Sequence, residues 1–347
     1  MTTDSLGFLA AVEGLPEQLS AAHQAAGAID ADRFPKAPGV DHIVVCGMGG
    51  SGVSGDVLAA VGNDRLPVPV TVLKQYRVPA FVGPRTLVFA VSYSGSTEET
   101  ESMARGAAER GAQIVAVAKG GPLAEIAVGA GGLHIACPDG FMPRAAIGAL
   151  IAPMFVTLQR SGLLPDAHKE LIAAERQLAA RRETCAPAVE GAPNLARELA
   201  RKIGRTFPLV YGGGALGAAA AYRWKCDVNE NAKAPAYWAA YPELDHNEIC
   251  AWGQHGDVTR QVLTLVELRH DFEHARLEPR FAITREIIEE AVHQVLEVRA
   301  QGETRLAQLL DLMYVGMWTS CYLALQNDVD PGPVPAIFTL KDRLAAL

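Results

Sequence analysis

An apolar segment that opens directly into a hydroxyl-rich turn and then a helix most constrains what this chain can fold into. Residues 88–91 read Val-Phe-Ala-Val, residues 92–97 read Ser-Tyr-Ser-Gly-Ser-Thr, and residues 98–103 read Glu-Glu-Thr-Glu-Ser-Met. A short apolar run is typical of a strand buried on both faces, and the pattern that follows is typical of a helix. The segment therefore predicts a strand–turn–helix unit.

The turn itself predicts an anion-binding site. The hydroxyls of Ser92, Ser94, Ser96 and Thr97 would converge on the unpaired N–H groups and the partial positive charge of a helix N-terminus. Phosphate suits such a site because it accepts many hydrogen bonds at once. The alternative is a plain N-cap box, Ser or Thr followed three residues later by Glu, which accounts for one or two of the hydroxyls. We favour the phosphate site.

Similar patterns extend along the chain. An amphipathic lead-in helix is predicted in residues 1–30, and a helix at 99–110. Strands at 41–46, 69–73, 87–91, 113–117 and 133–136 predict a parallel five-stranded sheet. The second half predicts strands at 207–211, 261–266 and 293–298, with helices at 215–225 and 304–326.

This pattern predicts an α/β protein of two three-layer α/β/α domains, each with a mainly parallel sheet, plus N-terminal and C-terminal helices. The expected segments are a lead-in at 1–40, a first domain at 41–150, a helical bridge at 151–204, and a second domain with the C-terminal helix at 205–347. A length of 347 residues is enough for two separate cores.

Composition excludes several classes of function. The net charge is −8, and no clustered basic run is present, so a nucleic-acid surface is not expected. The six cysteines are scattered without metal-ligand spacing, which predicts reduced, mostly buried thiols and neither a metal site nor a disulfide framework. No signal peptide or membrane span is indicated, so the cytoplasm is the expected compartment.

Glycine-rich turns follow the first strand of each half, and both fit G-x-G-x-x-G: residues 47–52 and 212–217. A dinucleotide site would need an acidic residue at the end of the second strand to hold a ribose. That strand ends at Leu73-Lys74, so NADP remains an alternative, but Ser51 and the hydroxyl-rich turn fit a single phosphate better. No cofactor is expected.

Five motifs together resemble a known family. Gly47-Met-Gly-Gly-Ser-Gly52 and Ser92-Tyr-Ser-Gly-Ser-Thr97 resemble the sugar isomerase (SIS) domain. Met142-Pro-Arg-Ala-Ala-Ile-Gly148, Asn229-Glu-Asn-Ala-Lys233 and Asp245-His-Asn-Glu248 narrow the resemblance to the bifunctional phosphoglucose/phosphomannose isomerase family. The resemblance implies two SIS domains, a homodimer and hexose 6-phosphate substrates.

By position, the resemblance also implies roles for individual residues. Arg144 would be the active-site arginine, Glu230 the base, and His246 the ring-opening histidine, which the family takes from the neighbouring subunit. The phosphate would be held by residues of the two turns, namely Gly50, Ser51, Ser92, Ser94 and Thr97.

The chemistry agrees with these residue types. A carbonyl moves between C1 and C2 of a sugar through an enediolate, which needs one base for both carbons and a cation for the oxygens. Glu230 and Arg144 supply these groups. The alternatives are a surface ion pair of Glu230 with Lys233 and an exposed, inert Arg144. His246 is a suitable proton shuttle because Asp245, Asn247 and Glu248 flank it, and His255 is second choice.

One departure from the family concerns the last helix. Thr319 and Ser320 can supply the hydroxyl expected there, but no lysine occurs between Lys233 and Lys341, and Gln326 or Asn327 stands where one is expected. The sequence therefore predicts a metal-free isomerase of glucose 6-phosphate or mannose 6-phosphate with fructose 6-phosphate. The alternative is a non-catalytic protein that binds sugar phosphates.

Overall fold

Two parallel sheets, one in each half of the chain, organise the computed structural model, which describes residues 3–187 and 193–346. The strands are β1 (His42–Cys46), β2 (Val70–Leu73), β3 (Thr86–Val91), β4 (Gln113–Ala118), β5 (Leu133–Ala136), β6 (Phe207–Gly213), β7 (Tyr237–Tyr241), β8 (Leu263–Arg269) and β9 (Gln294–Arg299). The predicted lead-in, bridge and C-terminal segments include residues 1–2, 188–192 and 347, which lie outside the described residues.

Helices connect and cover these strands. They are α1 (Phe8–Glu13), α2 (Leu15–Gly27), α3 (Gly49–Gly62), α4 (Glu98–Glu109), α5 (Pro122–Gly129), α6 (Ile147–Ser161), α7 (Ala167–Cys185), α8 (Leu195–Ile203), α9 (Gly214–Asp227), α10 (Gly256–Val262), α11 (Leu277–Ile288), α12 (Arg305–Gln326) and α13 (Pro335–Ala345). The lead-in, predicted as one helix, is divided at Gly14 into α1 and α2.

The first sheet has the strand order β2-β1-β3-β4-β5, and all of its neighbouring strands are parallel. The predicted five-stranded parallel sheet is confirmed. All six residues of β3 are buried, as expected for a strand with helices on both faces. Its side chains join a core with β1, β4 and the inner faces of α4 and α5. The strand order reverses between β1 and β3, so these two strands start connections that leave in opposite directions.

The second sheet has the order β7-β6-β8-β9 and is also parallel throughout. The strands predicted at 207–211 and 293–298 are present within one or two residues. The strand predicted at 261–266 begins later, because residues 261–262 end α10. The sequence did not predict β7, which is an edge strand with Tyr237 and Trp238 exposed.

The chain divides into two compact units. The first unit contains residues 14–179 and 302–309, with the five-stranded sheet. The second contains the described residues of 1–13, 180–301 and 310–347, with the four-stranded sheet. In the second unit, fully buried Trp224 of α9 donates a hydrogen bond of 2.7 Å to the Leu312 carbonyl of α12. The predicted fold class, two α/β units with parallel sheets, is confirmed.

One expectation for the helical bridge is wrong in part. The many charged residues of 175–183 predict a solvated helix face, but Arg181 is buried and donates two hydrogen bonds to the Asp311 carboxylate, at 2.8 and 2.7 Å. An arginine in a helical pattern with many charges gives no sign that its partner lies 130 residues further along the chain. The sequence therefore could not reveal this pair.

Candidate active site

The hydroxyl-rich turn after β3 forms one connected cluster. The Ser92 hydroxyl lies 2.8 Å from the Thr97 hydroxyl and 3.4 Å from that of Ser94, and it accepts a hydrogen bond of 3.2 Å from the Gly95 N–H. Ser92 is buried, Thr97 is half-buried and Ser94 is exposed. The cluster therefore extends from the strand end to the surface, and a ligand can reach its outer hydroxyls.

The cluster does not serve as a plain helix cap. Thr97 is the N-cap residue of α4, yet within the described chain its side chain makes no capping hydrogen bond, because its hydroxyl pairs with Ser92 instead. The first N–H groups of α4 therefore keep their capacity to bind an anion. The structure thus favours the phosphate interpretation of this turn over the N-cap box.

A second turn lies beside the first. Gly47 follows β1, whose neighbour in the sheet is β3. A Cβ added at Gly47 would lie 3.0 Å from the Val91 carbonyl oxygen, so the ends of the two strands approach closely. Ser51 lies in the first turn of α3, where Met48 supplies no side-chain cap. Both helix N-termini, with Gly50, Ser51 and the Ser92 turn, thus occupy the carboxyl ends of β1 and β3, where the strand order reverses and open α/β sheets bind ligands.

Close backbone packing fixes the shape of the hydroxyl turn. Gly95 has φ +75°, and a Cβ added to it would lie 1.8 Å from the Gly120 carbonyl oxygen. The Gly95 carbonyl in turn accepts a hydrogen bond of 3.0 Å from the Leu123 N–H of α5. The turn is therefore held by the loop after β4, a contact that the sequence did not predict.

Arg144 lies on the same unit, in a 3₁₀ turn between β5 and α6. The alternative of an exposed Arg144 is wrong, since Arg144 is 5% exposed. Tyr93, within the hydroxyl turn, contacts the segment that leads to Arg144. Its phenol donates a hydrogen bond of 2.9 Å to the Pro138 carbonyl and accepts one of 2.9 Å from the Phe141 N–H. The hydroxyl turn and the start of the Arg144 segment are thus directly linked.

The dinucleotide alternative gains no support from the end of β2. Lys74 donates to the Asp56 carboxylate of α3 at the position where a ribose-binding acid would be needed. Burial raises the pKa of Asp56, and the Lys74 ammonium opposes that rise. Lys74 is therefore part of an ion pair within the unit.

Glu230 lies in the second unit, on a single π-helical turn, Val228–Ala232, that follows α9. It is half-buried and close enough to the buried Arg223–Asp227 ion pair to help stabilise the Arg223 charge. The neighbouring Asn231 is fully buried, and its amide donates a hydrogen bond of 2.9 Å to the Ser320 hydroxyl. Isolated π-helical turns occur often at functional sites. The turn thus holds a carboxylate on a well-anchored backbone.

Lys233 ends this turn in a left-handed conformation, with φ +53°. Its ammonium donates to the carbonyls of Asn231, Asp330 and Pro331 at 3.1, 2.7 and 3.3 Å. The alternative interpretation, a surface ion pair of Glu230 with Lys233, does not account for these three backbone acceptors. These contacts tie the Glu230 turn to residues 330–331.

His246 is exposed, in a 3₁₀ turn of the second unit. The polar residues that flank it were expected to orient its ring, but each has a hydrogen bond elsewhere. The partners are Arg280 for Asp245, Glu243 for Asn247 and Tyr211 for Glu248. A local sequence pattern could not show this, because two of the three partners come from other elements.

The hydroxyls predicted in the last long helix are interior. Thr319 and Ser320 of α12 are both fully buried. The Ser320 hydroxyl donates a hydrogen bond of 2.7 Å to the Met317 carbonyl, whereas the Thr319 hydroxyl has no hydrogen-bond partner among the described residues. Their role as substrate-binding hydroxyls stays a prediction.

The two amides read at the expected lysine position have structural contacts. The Gln326 amide donates a hydrogen bond of 2.7 Å to the Ala200 carbonyl near the end of α8, and the Asn327 amide donates one of 2.8 Å to the Leu323 carbonyl. Both therefore satisfy carbonyl groups at helix ends.

Among residues 3–187 and 193–346, no cluster of three or more His, Cys, Asp or Glu side chains could hold a metal ion. Within the same ranges, none of the helices combines the length and the apolarity needed to span a membrane.

Comparison with known proteins agrees with the fold and with the motifs. Residues 39–130 match the SIS domain, and residues 192–344 match the bacterial phospho-glucose isomerase C-terminal SIS domain. Among solved structures, the C-terminal domain of glucosamine-fructose-6-phosphate aminotransferase from Francisella tularensis has a TM-score of 0.69 at 16% identity, covering 94% of this chain and 98% of that chain. That likeness shows a shared fold.

Two curated relatives are much more similar in sequence. A bifunctional phosphoglucose/phosphomannose isomerase of Caldicellulosiruptor bescii is 36% identical over 339 residues, 97% of this chain and 98% of that protein. A protein of the same name from Aquifex aeolicus is 33% identical over 303 residues, 87% of this chain and 90% of that protein. Because this similarity extends over nearly the whole length of both partners, the chain belongs to the bifunctional phosphoglucose/phosphomannose isomerase family.

Proposed function

We propose that this protein is an aldose–ketose isomerase that interconverts glucose 6-phosphate and mannose 6-phosphate with fructose 6-phosphate. The observation that carries the proposal is the 36% identity, over 97% of the chain, to an enzyme named for both reactions. The hydroxyl cluster and the two helix N-termini at the carboxyl ends of β1 and β3 support it, because they suit the phosphate group common to all three sugars.

The phosphate ester is the anchor in this proposal. Gly50 and Ser51 of the first turn and Ser92, Ser94 and Thr97 of the second donate hydrogen bonds to its oxygens. A doubly charged ester held in this way keeps the rest of the sugar in a fixed orientation, which lowers the entropic cost of the chemical step. No metal or cofactor is required by these steps.

Glu230 and Arg144 perform the chemistry. The Glu230 carboxylate takes the proton from C2 of the open aldose and returns it to C1, and the reverse reaction uses the same group. One carboxylate can serve both carbons, because C1 and C2 are adjacent and can exchange their protons with it on the same face of the enediolate. C2 is planar in the enediolate, so glucose 6-phosphate and mannose 6-phosphate, which differ only at C2, lead to the same ketose. The Arg144 guanidinium stabilises the negative charge on the enediolate oxygens.

His246 opens the ring by moving a proton between O1 and O5, and we place it in the active site of a partner subunit in a cytoplasmic homodimer. Its exposure supports a role toward another molecule, since the imidazole is available at the surface of this chain. None of the six cysteines forms a disulfide in the described part of the chain, which supports a reducing compartment.

Coupled assays with glucose 6-phosphate and mannose 6-phosphate test the activity. We expect turnover of both sugars, and a fall in kcat of about 10²–10⁴ for Glu230→Gln, because that is the usual contribution of a general base. Glu290→Gln is the matched control, since Glu290 is an exposed carboxylate of the same unit. Binding of hexose phosphates without turnover in the wild type would favour the non-catalytic sugar-phosphate binder instead.

Mixing two inactive variants tests the shared site. Glu230→Gln and His246→Ala subunits, once exchanged, would form mixed dimers in which one site contains both substitutions and the other contains neither. We expect activity to return on mixing. A mixture that exchanges subunits but stays inactive would place both residues in the site of one subunit.

A further inference from the structure

The first turn of α6, directly after the Arg144 turn, has no side-chain cap of its own. Its N-cap residue is Ala146, whose methyl group cannot accept a hydrogen bond. The residues on either side, Ala145 and Ile147, are buried as well. A buried helix start leaves N–H groups that must find partners elsewhere, because water cannot reach them.

Gln18 of α2 supplies the missing contacts. Its amide oxygen accepts a hydrogen bond of 3.1 Å from the Ala149 N–H, the third residue of α6, which is the group that an N-cap side chain would normally bind. Its amide nitrogen donates 3.0 Å to the Ala145 carbonyl, directly after Arg144. Gln18 is 4% exposed, so both bonds lie in the interior.

The packing around Gln18 is close enough to make these bonds specific. A Cβ added at Gly148 would lie 2.9 Å from the Gln18 amide oxygen and 3.1 Å from the Leu19 nitrogen. The helices α2 and α6 therefore approach each other closely at the very residues that start α6. Gln18 cannot shift without opening this contact, and the Arg144 turn cannot shift without breaking the bond to Ala145.

We propose that Gln18 is a positioning residue for Arg144. One side chain from the lead-in helix caps α6 from outside and fixes the carbonyl that follows Arg144, so it sets the direction in which that arginine leaves the backbone. The expected effect on turnover rests on the proposed function. A misplacement of about 1 Å at a catalytic group can reduce the rate about 10²-fold.

Gln18→Leu tests the proposal, because leucine keeps most of the volume and removes both hydrogen bonds. Gln24→Leu is the matched control: Gln24 lies on the same helix, is exposed, and donates to Ser20 of its own helix. Gln18→Met, which is unbranched like glutamine, replaces Gln18→Leu if that variant does not fold.

Steady-state kinetics give the first readout, at a temperature where all variants are folded. We expect kcat of Gln18→Leu to fall at least tenfold, while the Kd of inorganic phosphate changes less than twofold, because the phosphate turn is not touched. Gln24→Leu should match the wild type in both. An unchanged kcat in Gln18→Leu, or a parallel loss of phosphate binding, would overturn the proposal.

Amide hydrogen exchange gives a readout that does not depend on turnover. We expect exchange of residues 143–150 to be at least tenfold faster in Gln18→Leu than in the wild type and in Gln24→Leu, with residues 151–161 unchanged. If the wild type isomerises no hexose 6-phosphate, the proposed function fails, and exchange alone decides whether Gln18 holds this turn. Unchanged exchange at 143–150 would refute the positioning role.

Discussion

The hydroxyl of Ser92 lies 2.8 Å from the hydroxyl of Thr97, and this contact keeps the N-cap side chain of α4 from capping its own helix. A helix that could have been closed by its own threonine is instead left with N–H groups that can bind an anion. The same contact aligns two hydroxyls at the end of β3. The donors that we propose bind the phosphate are therefore arranged before a ligand arrives.

Replacing Ser92 tests this arrangement. Ser92→Ala removes the hydroxyl that connects Ser94, Gly95 and Thr97, and a hydrogen bond to a charged group contributes about 1.5–3 kcal/mol. We expect KM for glucose 6-phosphate and the Kd of inorganic phosphate to rise about tenfold or more. Ser102→Ala, which alters an exposed hydroxyl of α4 outside the turn, is the control, and calorimetry measures the phosphate affinity. Equal affinities of Ser92→Ala and the wild type would contradict the phosphate site.

Gly95→Ala should distort the phosphate turn. The added Cβ would lie 1.8 Å from the Gly120 carbonyl oxygen at a φ of +75°, so the backbone of the turn or of the neighbouring loop must move. We expect a loss of stability of about 1–3 kcal/mol, together with loss of phosphate binding. Gly129→Ala is the matched control, because nothing lies within 4 Å of its added Cβ. Urea unfolding and phosphate titration of both variants decide the outcome.

Glu267 should make stability depend on pH. Burial raises the pKa of this carboxyl of β8, while the Arg285 guanidinium opposes the rise without cancelling it. The folded protein therefore holds this proton more tightly than the unfolded chain does, so the free energy of unfolding falls as pH rises above the ordinary glutamate value of 4.5.

Glu267→Gln removes that titration. Urea unfolding between about pH 4 and pH 8 should show a less negative slope of stability against pH in Glu267→Gln than in the wild type. The Glu290→Gln control should keep the wild-type slope. A slope that is the same in all three proteins would show that Glu267 does not titrate in this range.

Thiol reactivity should separate the cysteines by burial. Burial raises the pKa of Cys46 and of Cys137 to about 12, so almost no thiolate forms at neutral pH, and both side chains are covered. Cys250 is exposed. Iodoacetamide labelling of the native protein, followed by mass spectrometry, should modify Cys250 first. Labelling of Cys46 at the same rate would mean that the first sheet opens readily.

Much of the fold could be predicted because its signals are local. The apolar runs of β1, β3 and β4 and the glycine turns after β1 and β6 are contiguous in the sequence, and the structure has them within one or two residues. The edge strand β7 was missed because a short apolar run such as Tyr-Trp-Ala-Ala-Tyr does not by its periodicity distinguish a strand from a buried helical segment. The start of β8 was misplaced because Val262, which ends α10, continues the same apolar pattern.

The candidate site divides in the same way. The hydroxyls of Ser92 and Thr97 could be recognised as a group because the two residues are only five positions apart, in one turn. Gln18 was not, because it contacts Ala145 across 127 residues of chain and lies in a helix with ordinary amphipathic spacing. The burial of Arg144 likewise depends on packing that its local sequence, an arginine after a proline, does not record.

The three carbonyl contacts of Lys233 have a consequence for any shortened form of this protein. Two of the three acceptors belong to Asp330 and Pro331, close to the end of the chain. Truncation ahead of residue 330 would remove two of these three acceptors and leave the Asn231 carbonyl. It would thereby loosen the π-helical turn that carries Glu230. The C-terminal part of the polypeptide thus supports a turn that lies about a hundred residues earlier in the sequence, and deletions that reach residue 330 are not neutral changes.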